Sequence, residues 1–105
     1  MSVQVMKPDR SKYSSDDLQL SLIEEMAAAA NGYIAYAGWF SVDEVASTVT
    51  HRIELSLSPA WVGTDQIRFV ALSTDRLYLG GGAVLINGML QAPHSAWERV
   101  STAAI

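Results

Sequence analysis

The chain has 105 residues, of which half are apolar and 17% charged, with a net charge of −4 and no cysteine. Its length suits a single domain, and folding at this size removes roughly two thirds of the unfolded surface from water. The composition excludes a disordered chain. The negative charge and lack of a basic cluster argue against nucleic acid and anionic membranes as partners. Without cysteine there is no disulfide, thiolate nucleophile or thiolate-bound metal. The opening segment reaches Lys7 and Pro8 too soon for the apolar region of a signal peptide, and no stretch approaches the roughly 18 apolar residues of a membrane span. A cytoplasmic location is the expectation.

Val3 and Val5 alternate with Ser2, Gln4 and Met6, which predicts a short strand ended by Pro8. A polar loop follows, and then a helix over about residues 15–31. Ser14 or Ser15 is its expected cap, and Asp16 and Asp17 suit its positive end. Leu18, Leu22, Ile23, Met26, Ala27 and Ala30 recur at helical spacing along one side, and Asn31-Gly32 closes the helix.

From Tyr33 the period changes to two and stays there to about residue 100. Residues 33–42 alternate with aromatics on both faces. Residues 48–58 set Val49, His51, Ile53, Leu55 and Leu57 against a polar phase, which makes this the cleanest half-buried strand. Pro59 to Gly63 interrupts, and residues 64–73 resume with Ile67, Phe69 and Ala71 opposite Gln66, Arg68, Val70 and Leu72. Ser73-Thr74-Asp75 turns the chain into residues 76–79, and Gly80 to Gly82 reads as a flexible break. Asn87-Gly88 marks a hairpin, because its residues tolerate the positive dihedrals of a two-residue turn. The last strand is expected over residues 94–100. About seven strands and one helix result, against the roughly eight strands of the smallest ligand-holding barrels.

Thr48-Val49-Thr50-His51, the run from Ser56 to Phe69 containing Pro59-Ala60-Trp61-Val62-Gly63-Thr64-Asp65, the triplet Asp75-Arg76-Leu77 and the ending Trp97-Glu98-Arg99-Val100 together resemble the lipocalin-like domain family. Gly32-Tyr33-Ile34-Ala35-Tyr36 is also similar to that family. The resemblance covers roughly half the chain. It implies a mainly β, antiparallel, up-and-down calycin-type barrel with a helix packed on it, and relatives that hold small apolar molecules. Family members begin with a strand carrying a Gly-x-Trp-like start ahead of the segment that residues 1–6 resemble, and this sequence has no counterpart. The expectation is an incomplete barrel with an unpaired strand edge, satisfied by a second copy in a homodimer.

His51 sits in the apolar phase of its strand, where it serves either as a neutral core imidazole or as an acid or base in a pocket. Arg68 either pairs on the outer wall or turns inward to anchor a carboxylate or enolate. Glu54 joins these two as a candidate for chemistry. Tyr36, Trp39, Phe40, Ile53, Trp61, Phe69, Tyr78 and Trp97, with His51 and Arg68, are the expected ligand-contacting set, since flat apolar surfaces line such pockets. Aromatics in a small β protein are more often core. Two distant histidines make no metal site, and Gly80 to Gly82 has neither the lysine nor the helix of a phosphate loop. No metal and no cofactor are expected. Three readings stay open: a binder of a small hydrophobic or amphipathic molecule, a cyclase or isomerase using His51, Tyr36, Glu54 or Arg68, and a structural module with a filled core.

Overall fold

The computed structural model describes residues 1–17 and 22–100. One helix, α1 (Ile23–Asn31), and eight strands are found among them: β1 (Ser2–Met6), β2 (Tyr33–Asp43), β3 (Thr48–Ser56), β4 (Asp65–Leu72), β5 (Arg76–Gly81), β6 (Val84–Ile86), β7 (Met89–Gln91) and β8 (His94–Glu98). The fold is therefore mainly β and antiparallel, as the period of two requires. Six strands follow the order β1-β2-β3-β4-β5-β8, and β6 with β7 forms a separate hairpin. Strand β7, the second arm of the Asn87-Gly88 hairpin, raises the count from seven to eight; both turn residues have positive φ, 51° and 75°. Among the described residues no helix is long and apolar enough to cross a membrane.

Packing divides the chain into two compact units, one of Met1–Gly38 with Ile53–Thr64, the other of Trp39–Arg52 with Asp65–Ile105. In the first, β1 pairs with the front half of β2 from Ser2↔Ala37 to Met6↔Tyr33. The Met1 ammonium donates to the Gly38 carbonyl at 2.8 Å, and the Lys7 amide donates to the Gly32 carbonyl at 2.8 Å, so both ends of the pairing are tied. The Arg10 guanidinium lies 5.0 Å from the Tyr33 ring centroid and donates to the last-turn carbonyl of Ala29, clamping the loop to the end of α1.

The helix departs from expectation at its start. Residues 14–16 form bends, Leu18 lies outside the described residues, and α1 begins at Ile23 after Leu22. Ser14 does not cap by accepting a bond. Its amide and hydroxyl both donate to the Glu25 carboxylate, at 2.7 and 2.8 Å, and Glu25 turns back to accept the Leu22 amide at 3.2 Å. The Ser14 hydroxyl, then its amide, hold the Glu25 carboxyl below the usual range. The apolar side of α1 is largely uncovered, with Leu22, Ile23 and Met26 all exposed.

Among the described residues Ile53 is the one large side chain fully withdrawn from solvent, and Tyr36 is buried in the same unit. Two backbone bonds fix Ile53, from its amide to the Thr64 carbonyl and from the Gly63 amide to its carbonyl. Gly63, at φ 80°, allows that return of the chain after the short 3-10 turn Pro59–Trp61. The turn sets Trp61 edge-on to Tyr36, with centroids 5.5 Å apart and planes at 63°. Leu55 and Leu57 share the phase of Ile53 yet are exposed.

In the second unit β3 pairs with β4, β4 with β5, and β5 with β8. Gly80 and Gly81, expected as a flexible break, instead complete β5: Gly80 pairs with Phe69 and His94, and Gly81 with Arg68. Strand β3 stops at Ser56 and β8 at Glu98, each two residues short of expectation.

Replacing Ile53 by Ala removes a fully buried side chain and is expected to cost about 2–5 kcal/mol. Leu55→Ala on the same strand is expected to cost no more than about 0.5 kcal/mol. Urea unfolding followed by circular dichroism distinguishes the two, and equal losses would contradict the burial described.

Candidate functional site

The second unit builds its site from the register of four strands. Residues directly opposite one another on paired strands project from the same face. Val49 opposes Arg68, which opposes Gly81; His51 opposes Gln66; Val70 opposes Leu79, which opposes Ser95; and Leu72 opposes Leu77, which opposes Trp97. One face therefore carries four rungs that grade from polar, at His51, Gln66 and Arg68, to apolar, at Val70, Leu79, Leu77 and Trp97.

This is the better covered face. Val49 and His51 are buried, Gln66, Arg68, Val70, Leu77, Leu79 and Ser95 are half-buried, and Leu72 and Trp97 at its apolar end are exposed, whereas on the reverse side Thr48 and Thr50 are half-buried and Ile67, Phe69, Ala71 and Tyr78 are exposed. On β4 the polar-looking phase is thus the covered one. Gly81 lies under Arg68 and Pro93: a side-chain carbon there would lie 3.6 Å from Pro93 and 3.7 Å from Arg68 Nη1. The same guanidinium nitrogen donates to the Ile67 carbonyl at 3.2 Å. At the apolar end, Trp97 Nε1 donates to Ser95 Oγ at 2.8 Å, which turns the indole along β8.

His51 is only 5% exposed. Burial first, and then the Arg68 charge, push its pKa below the ordinary value of 6.5, so the imidazole is neutral near neutral pH. A neutral ring presents one N–H donor and one acceptor, the Gln66 amide presents both kinds, and Arg68 presents donors alone. Together they match oxygen substituents on a small molecule. The apolar rungs match a ring or short alkyl chain.

The expected ligand-contacting residues fall in different places. His51, Arg68 and Trp97 share the graded face. Phe69 and Tyr78 project from its reverse, and Trp39 and Phe40 on the second half of β2 are exposed. Tyr36, Ile53 and Trp61 belong to the first unit, as does Glu54, which takes the exposed phase of β3 and so does not share the phase of His51. Gln66, Val70, Leu79 and Ser95 join the face although the aromatic content of the sequence gives them no prominence. His94 opposes Gly80 on the reverse side from His51, and no group of three metal-binding side chains occurs among the described residues.

The lipocalin-like domain family matches residues 1–100. This chain belongs to that family. Over 107 aligned residues it is 35% identical to the 4'-hydroxy-3'-methoxypropiophenone carrier protein ppsC of Aspergillus oryzae, an alignment covering 95% of this chain and 96% of that protein. No solved structure matches. The match extends the resemblance read from half the sequence to nearly the whole of it, and the family accounts for the meander of antiparallel strands.

Because the folded pKa of His51 is depressed, the unfolded chain binds its proton more readily. The stability tied to this group is complete above pH 6.5 and is lost as the pH falls from there through the folded value. Urea midpoints measured from pH 8 to pH 5 are expected to fall below pH 6.5, and His51→Asn is expected to flatten that part of the profile. An unchanged profile in the variant would contradict the assignment.

Proposed function

We propose that this lipocalin-like protein is a carrier of a small amphipathic aromatic molecule, seated along the graded face of the second unit. His51, Gln66 and Arg68 meet its oxygen substituents, and Val70, Leu79 and Trp97 meet its ring and alkyl carbons. The supporting observation is the register that gathers a buried histidine, an amide and a guanidinium at one end of a face whose other end is apolar. The compound in the name of the Aspergillus oryzae relative is an aryl ketone with phenol and methoxy oxygens on one side of the ring and an ethyl ketone on the other, an amphipathic aromatic molecule of the proposed class. A compound of that class is the reading's choice of ligand, and the carrier is taken to work as a homodimer.

The reading is tested by titrating the protein with 4'-hydroxy-3'-methoxypropiophenone, following tryptophan fluorescence and calorimetry. Saturable binding is expected, with the compound recovered unchanged. Arg68→Leu is expected to weaken binding by roughly 10-fold or more, since hydrogen bonds to charged groups contribute about 1.5–3 kcal/mol. Absence of saturable binding by this ketone and by a panel of related phenolic ketones would overturn the reading, as would conversion of the compound into a product.

A further inference from the structure

The reverse side of the four-stranded region has a composition that small-molecule carriage does not use. Thr48, Thr50, Ile67, Phe69, Ala71 and Tyr78 project there, with Gly80, His94 and Ala96, and no carboxylate, lysine or arginine lies among them. Ile67 is 55% and Phe69 61% exposed. Charges come only at two opposite corners, and each corner is neutral: Arg52 and Asp65 are bridged at 3.1 Å, and Arg76 stands directly opposite Glu98. An apolar centre depleted of charge with a polar rim is the anatomy of a protein interface.

Beside the protruding Phe69 lies a hollow of about 580 Å³, lined by Tyr78, Gly80, His94 and Ala96 among others. Gly80 forms part of its floor, where a carbon added would lie 3.4 Å from His94 Nδ1 and 4.0 Å from Phe69 Cβ. The face thus carries both a projecting ring and a space beside it, which is the requirement for a surface that meets its own copy about a two-fold axis. Charge favours the same occupant. The chain carries −4 overall, but this face balances its cations and anions pairwise, so two copies meet here without like-charge repulsion.

Among the described residues of the second unit only Val49 and His51 are buried, and both lie on the graded face, so Ile67, Phe69 and Tyr78 on the reverse face stay exposed in the single chain.

We propose that the reverse face of β3, β4, β5 and β8 is a homodimer interface, in which Phe69 of each copy enters the hollow over Gly80 of the other. The inference rests on the homodimer of the proposed function and names its interface; it concerns the side opposite the graded face, and its test uses no ligand, so its failure is distinct from a failure of ligand binding. Sedimentation equilibrium of the unaltered protein at micromolar concentration is expected to give twice the chain mass. Phe69→Glu and Ile67→Glu are each expected to shift the equilibrium to monomer, raising the dissociation constant at least 100-fold, with the strand signal of circular dichroism retained. A measurement on the unaltered chain covers the case in which a variant fails to fold. Relaxation of the Ile67 and Ala71 methyl groups by a soluble gadolinium chelate is expected to be weak at high concentration and to rise on dilution through the dissociation constant. A monomer at all concentrations, a dimer whose Ile67 and Ala71 methyls stay fully accessible, or a saturating small molecule in the hollow of a monomer would each overturn the proposal.

Discussion

The pairing of β3 with β4 is the constraint on which the rest depends. Arg52 meets Asp65, and from that pair the ladder counts back through His51↔Gln66 to Val49↔Arg68. Because side chains alternate strictly along a strand, a slip of one residue would exchange every covered group for an exposed one. The observed register places the phase of β4 that looks polar on the side of the buried histidine. It leaves the phase that looks apolar, Ile67, Phe69 and Ala71, to the outside. The site chemistry and the proposed interface are two consequences of that one choice.

The protein also shows how a small chain without disulfides manages few buried residues. Ile53 is held by a pair of backbone bonds to Gly63 and Thr64, and the short turn that makes those bonds also delivers Trp61 to Tyr36. His51, two residues earlier on the same strand, is buried as a neutral ring rather than as a charge, which avoids the cost of desolvating an imidazolium. Large apolar side chains elsewhere, Ile23 on α1 and Phe69 on β4 among them, stay exposed in the single chain. Carriage of a small molecule and self-association are the two proposed uses of the remaining surface.

Much of the fold was legible in the sequence because a sustained period of two has one structural meaning. The extents of β2 and β4 and the Asn87-Gly88 turn follow from alternation and turn chemistry alone. Two local features were not legible. The start of α1 depends on Glu25 reaching back to Leu22 and across to Ser14, a contact between segments that capping rules cannot anticipate from serine alone. Gly80 and Gly81 suggest flexibility by composition, yet their pairing with Phe69 and Arg68 makes them strand. Of the site, His51 stands out in its strand and alternation sets Gln66, Val70 and Leu72 on the face of Arg68, but neither Leu79 nor the sharing of that face with His51 can be read this way. Both follow from register, and the excursion from Ser56 to Thr64 hides the β3–β4 register from counting. The β4–β5 register is not countable from the sequence either: a three-residue turn of Ser73-Thr74-Asp75 would set Leu72 opposite Arg76, whereas Ser73 bonds to Arg76 and Leu72 pairs with Leu77. Aromatic content drew attention to Phe69 and Tyr78, which the same pairing sets on the reverse side.

The most direct test of the account is to map amide and methyl chemical-shift changes in the unaltered, isotope-labelled protein as 4'-hydroxy-3'-methoxypropiophenone is added. The account predicts that the largest changes fall on His51, Gln66, Arg68, Val70 and Leu79, with Ile67, Phe69 and Tyr78 little affected. Changes centred on Ile67, Phe69 and Tyr78 would contradict it, because they would put the binding face on the other side of the β3–β4 ladder.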